Sequence, residues 1–133
     1  MTVQQERRTS IRAVIVDDCE TILDFMSRAL NSSQGIEVIA SVGNGAEAVE
    51  TADEMLPDVV VMDVEMPILD GLEATRCIKL AHPEIVVILV SGSADFPAAS
   101  VAAGADGFLT KPFGADLLVC TVLDVFFEKE DSA

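Results

Sequence analysis

The chain has 133 residues, half of them hydrophobic, with 23 acidic residues against eight basic ones and a formal net charge of −15. That length suits one domain able to bury ~65–70% of its extended surface, so neither disulfide nor zinc is needed to hold a core. So acidic a chain repels phosphate backbones and anionic lipid, which argues against direct nucleic-acid binding and membrane-surface attachment, and its apolar half argues against disorder. Nor does any run approach the ~18 apolar residues of a membrane-inserted helix. Three cysteines, Cys19, Cys77 and Cys120, form no C-x-x-C pair. They read as reduced apolar thiols filling a core. The single histidine, His82, precedes Pro83 and reads as exposed in a turn. Arg7-Arg8 hints at a twin-arginine export signal, but Asp17-Asp18 interrupts before an adequate apolar region develops. The expected location is the cytoplasm.

Residues 1–10 are polar and aperiodic and read as a flexible lead-in. From there two kinds of segment alternate. Short β-branched apolar runs fall at 11–16, 36–42, 59–62 and 85–90, with a weaker one at 107–109. Apolar on both faces, they suit a parallel sheet covered by helices. Between the first two runs, Ile22, Met26, Ala29 and Leu30 recur at i, i+4, i+7 and i+8, and after the second, Val49, Ala52 and Leu56 recur at i, i+3 and i+7. These are helical stripes. Asp70-Gly71 opens a third helix that ends before His82-Pro83. Asp95 caps a fourth, with Pro97 in its first turn and Gly104 just past its end. The fifth helix covers 115–127, and 129–133 is a polar tail. The reading is (βα)5 over residues 11–128, an α/β fold with a doubly wound parallel sheet of five strands.

In such sheets, ligands bind beyond the carboxyl ends of the strands, where strand order reverses. Asp17-Asp18 follow the first strand, Asp63 the third, Ser91 the fourth and Lys111-Pro112 the fifth. Three carboxylates, a hydroxyl and a lysine therefore converge on one edge. Clustered carboxylates repel one another unless a cation sits among them, and oxygen ligands without His or Cys favour a hard ion such as Mg²⁺, with Mn²⁺ as the alternative. Each residue alone has a plainer reading: Asp17 and Asp18 as helix caps, Asp63 as a turn former, Ser91 and Lys111 as surface residues, Phe108 as core. Only their joint placement outweighs this.

Four motifs carry a resemblance. They are Val16-Asp17-Asp18, then Val61 to Pro67 with Asp70-Gly71, then Val90-Ser91-Gly92-Ser93, and lastly Gly104 to Phe113. In this order and at these strand ends, the chain resembles a CheY-like receiver domain of two-component response regulators from about Ser10 to Phe127. The resemblance implies a flavodoxin-like strand order of 2-1-3-4-5. It implies that Asp63 is the phosphoacceptor, taking a phosphoryl group from the phosphohistidine of a sensor kinase or phosphotransfer protein. Asp17, Asp18, Asp63 and the Glu65 backbone carbonyl would hold Mg²⁺. Lys111 would pair with Asp63 or with the phosphoryl group, Ser91 would turn inward to bond that group, and Phe108 would follow it. Pro112 would be a cis proline. The fourth helix, fifth strand and fifth helix would form the output surface for an unknown downstream protein or a homodimer. In the fifth helix, Leu118, Val119, Val122, Leu123, Val125, Phe126 and Phe127 cover an arc of ~200°, wider than the stripe a surface helix needs. The spacing Asp63-x-Glu65 superficially suits a Mg²⁺-dependent aspartyl-phosphate hydrolase as well. Such an enzyme needs a cap or substrate pocket, for which this chain has no spare residues. Gly43-x-Gly45 lacks the third glycine of a dinucleotide fingerprint.

Overall fold

The computed structural model describes residues 10–93 and 97–132. The lead-in up to Thr9, the proposed cap Asp95, and Phe96 lie outside the described residues. In chain order the elements are β1 (Ile11–Val16), α1 (Glu20–Asn31), β2 (Ile36–Val42), α2 (Gly45–Met55), β3 (Val59–Asp63), α3 (Gly71–Ala81), β4 (Val86–Ser91), α4 (Pro97–Ala103), β5 (Gly107–Thr110) and α5 (Ala115–Ser132). The strands form one parallel sheet in the order β2-β1-β3-β4-β5, as the resemblance implied.

Alternate strand residues feed two cores. On one face Ala13, Ile15, Val59, Val61, Ile88 and Val90 pack with Met26 and Leu30 of α1 and with Leu118, Val122 and Phe126 of α5. On the other face Val14, Val16, Val60, Met62, Val87 and Leu89 pack with Ala48 and Ala52 of α2 and Ala74 and Ile78 of α3. Central strands need apolar residues on both faces because both are covered. The edge strand β2 departs from the expected run, since only Ile36 is buried there.

Leu56 is no core residue: it caps α2 in the left-handed region at φ 48, half exposed, while Ala52 of the same stripe is buried as expected and Ala48 joins it. Its carbonyl and that of Met55 accept hydrogen bonds from the Arg12 guanidinium at 3.0 Å each, so β1 supplies the cation that the last turn of α2 lacks. All three cysteines are exposed, because Ile78 of α3 and Leu118 and Val122 of α5 occupy the inward positions that Cys77 and Cys120 miss. His82 is mostly covered, and its Nε2 lies 2.7 Å from Asp53 Oδ1. Helix α5 runs to Ser132 rather than stopping near Phe127. Lys129, in the expected tail, donates to Asp106 Oδ1 at 3.3 Å, while Asp106 Oδ2 accepts from Lys79 Nζ and Val87 N, each at 2.8 Å. One carboxylate thereby joins α3, β4, α5 and the chain leading into β5.

The wide apolar arc of α5 also has an internal explanation. The helix packs on the sheet with Leu118 and Val122 and meets the α1-side core with Val119 and Leu123. Leu123 and Phe127 line a cleft with Ser10, Gln34 and Gly35, on the side of the α1–β2 turn rather than that of α4. They do not belong to the expected output face.

Two glycines position the segment after β3. A Cβ on Gly45 would lie 2.2 Å from the Leu69 carbonyl oxygen, and one on Gly71 would lie 2.3 Å from the Asp63 carbonyl oxygen. Both contacts are to backbone, which cannot swing aside. Among the described residues, a Cβ on Gly92 would meet nothing within 4 Å. Gly71→Ala should therefore destabilise the chain by on the order of 2 kcal/mol or more, whereas Gly92→Ala should stay within ~0.5 kcal/mol of the parent. Urea melts of the two variants check this.

Candidate functional site

The carboxyl ends of β1, β3, β4 and β5 meet at one edge of the sheet. Asp17 directly follows the first with 1% exposure, Asp63 ends the third with 5%, and Ser91, fully buried, ends the fourth. Asp18, next along the chain, is exposed. Carboxylate oxygens of Asp17, Asp18 and Asp63 all lie within 4.8 Å of one another. Asp17 does not cap α1: its Oδ1 accepts from the Cys19 amide at 2.9 Å, and α1 has no side-chain cap. Its Oδ2 accepts from Lys111 Nζ at 3.1 Å, and the same ammonium donates to Asp63 Oδ1 at 3.3 Å. Lys111 thus bridges two acids, where the sequence had paired it with Asp63 alone.

Lys111 reaches this position because the β4–β5 ladder continues past β5, with the Lys111 amide donating to the Ser91 carbonyl at 2.8 Å. The Lys111–Pro112 peptide is cis. Ser91 Oγ accepts from the Ser93 amide at 3.0 Å. Phe108 is partly buried against the α2/α3-side core. The Glu65 side chain is exposed, two residues after Asp63.

The electrostatics follow from this crowding. Burial is the largest influence on Asp63 and raises its pKa, the charge of Asp17 adds to it, Lys111 pulls the other way, and Asp18 adds a little more. The result is a carboxyl pushed from 3.8 up to about 6. For Lys111, burial acts downward, but the hydrogen bonds and charges of Asp17 and Asp63 outweigh it and hold the ammonium above its ordinary range. One lysine for three acids leaves net negative charge in a partly dry site. An all-oxygen donor set with that charge fits a hard divalent cation.

The chain matches the family model for the response regulator receiver domain over residues 13–123 and belongs to that family. It is 38% identical over 118 residues to the response regulator GacA of Pseudomonas viridiflava, an alignment covering 87% of this chain and 55% of the relative. It is also 38% identical, over 105 residues, to a protein-glutamate methylesterase/protein-glutamine glutaminase of Rhodospirillum centenum, covering 76% of this chain and 27% of that one. The chain spans about half the length of the first of these relatives and less of the second. Among solved structures, the signal receiver domain of the response regulator NarL from Mycobacterium tuberculosis matches with a TM-score of 0.84 at 30% identity, covering 89% of this chain and 97% of that domain. The response regulator domain of Thermotoga maritima CheB matches with a TM-score of 0.80 at 31% identity, covering 92% and 97%. The protein is a CheY-like receiver of two-component signalling, and the family implies a histidine kinase as its partner. Among the described residues no helix is long and apolar enough to cross a membrane.

Sequence reasoning did not foresee the Asp106 junction or the tight seating of Gly45 and Gly71, since neither a long-range ion pair nor a backbone close approach leaves a local pattern.

The raised pKa of Asp63 fixes the sign of a stability effect. A folded state that binds this proton more tightly than the unfolded chain is penalised once the group ionises. The penalty is complete above about pH 6 and gone below 3.8. In chelator, Asp63→Asn should therefore stabilise the fold at pH 7 by on the order of 2–3 kcal/mol, and the advantage should shrink steadily between pH 6 and 4. Urea melts of both proteins across that range measure it.

Proposed function

We propose that this chain is a phosphorylation-driven binding switch in which Asp63 accepts a phosphoryl group from a phosphohistidine on a sensor kinase or phosphotransfer protein. The observation that supports it best is the buried Asp63 carboxylate, held between Asp17 and the Lys111 ammonium at the end of β3. A carboxylate oxygen of Asp63 attacks phosphorus, the P–N bond breaks, and the imidazole leaves with the electron pair. Lys111 then has a phosphoryl oxygen to pair with in place of the acid it held. The Ser91 hydroxyl turns toward that group, and Phe108 follows it inward.

Asp17, Asp18, Asp63 and the Glu65 backbone carbonyl would hold Mg²⁺, or Mn²⁺ in its stead. When bound, the ion neutralises charge that builds on the phosphoryl oxygens. The chain catalyses only its own phosphoryl transfer and the slow hydrolysis of the acyl phosphate. The chain acts in the cytoplasm, where a kinase finds it.

The output surface in this reading is α4, β5 and α5, which meets a downstream protein or a second copy of the chain. Val101 on α4, 76% exposed, is its apolar contact.

A small phosphodonor such as phosphoramidate should add one phosphoryl group in the presence of Mg²⁺, read by intact mass. Asp63→Asn should remain unmodified, and chelation should abolish labelling of the parent. Modification that persists in either condition would overturn the assignment. With a beryllofluoride mimic, the parent should show a larger solution size by light scattering, and Val101→Glu should remove that increase.

A further inference from the structure

The segment joining β3 to α3 contains a strained residue that the isolated domain does not explain. The Leu69 amide donates to the Pro67 carbonyl, two residues back, at 2.8 Å, and Ile68 between them has φ 73. An i to i+2 bond around a positive φ makes a γ-turn of the rare, strained hand. A β-branched residue is an outlier in that region, which glycine occupies freely.

The segment is not loose. The Val64 amide donates to the Val90 carbonyl at 2.9 Å, the Gly71 amide to the Val64 carbonyl at 2.8 Å, and the Gly45 amide to the Leu69 carbonyl at 3.1 Å. Val64 and Met66 are buried and Leu69 packs against the same core. Ile68 alone of these apolar residues points outward, 82% exposed. Its side chain neither relieves the backbone nor fills a core. Strain kept beside a reacting group calls for a function at that residue.

The position limits what could cover it. Asp63 is 5% exposed, so phosphorus carried on another protein reaches it only if that protein settles on the rim of loops around the site. Residues 64–70 fold back on the strand end that bears Asp63 and form part of that rim. The same segment carries the exposed acids Glu65 and Asp70, and the exposed Asp18 shares the site with Asp63, so this rim is acidic. A second copy docking rim to rim would set the same exposed acids against these and be repelled at this site.

We infer that Ile68 is a specificity residue for the phosphohistidine protein that loads Asp63, entering an apolar socket bordered by basic side chains on that donor. The inference rests on the phosphoacceptor reading above.

The test compares the parent with Ile68→Gly and Ile68→Val, each as the full chain with Mg²⁺. Two donors are used: phosphoramidate, and the phosphorylated kinase core that loads the parent fastest in a panel of purified histidine kinase cores. Ile68→Gly should melt higher than the parent, take phosphate from phosphoramidate within twofold of the parent rate, and take it from the kinase core at least tenfold more slowly. Ile68→Val should stay within threefold of the parent with both donors. Equal kinase transfer to Ile68→Gly overturns the inference, as does a matching loss with both donors, which would mean that Ile68 acts on the site's own geometry. A parent loaded by phosphoramidate but by no kinase core also counts against it. A parent loaded by neither refutes the phosphoacceptor reading instead.

Discussion

Two carboxylates buried side by side are held by a single ammonium, and the rest of the molecule is arranged to make that tolerable. Asp17 and Asp63 sit on neighbouring strands, nearly out of water, so their repulsion is weakly screened. Lys111 comes from the far edge of the sheet, 94 and 48 residues away in sequence from the acids it bridges. It arrives only if β1, β3, β4 and β5 are all in register. The site therefore stores a charge imbalance that a divalent cation or a rearranged lysine contact can relieve, and Asp63 bears the cost as a carboxyl reluctant to ionise.

The strand that delivers Lys111 is the shortest, four residues at the sheet edge. Its amino end is held by Asp106, through two lysines and a β4 amide, and its carboxyl end by the Lys111 amide on Ser91. Between these anchors lies Phe108, only partly buried. Beside it Leu109 is buried in the opposite core, so the strand is pinned at both ends and by one inward side chain, and Phe108 is its less covered member. Lys111, which holds Asp63 through its ammonium, is held in turn by its amide on the Ser91 carbonyl, so the side chain that meets the acid is tied to the β4–β5 ladder.

The segment after β3 shows a contrasting solution. Gly45 and Gly71 let three backbone stretches approach more closely than any side chain would allow, and the segment is fixed rather than mobile. Rigidity there keeps the Glu65 carbonyl and the strand end in a constant relation. It also sustains the unfavourable backbone of Ile68.

Residue pattern alone determined the alternation of strands and helices, the two-sided burial of the central strands, and the gathering of Asp17, Asp18, Asp63, Ser91 and Lys111 at one edge. These follow from local periodicity and from the rule that all strands of a parallel sheet end on the same side. The cap at Asp70 was legible for the same reason, since its oxygen reaches an amide only three residues on. Tertiary structure alone decided that the cysteines face solvent, that Leu56 leaves the core, that α5 continues to Ser132, and that Leu123 and Phe127 turn toward the α1–β2 side. In each case a distant group settles the outcome: Arg12 collects the end of α2, Asp106 holds Lys129, and bulkier neighbours take the inward positions. Sequence spacing shows which residues share a face of their own element. It cannot show what stands opposite that face, because the partner's distance along the chain carries no information about its distance in space.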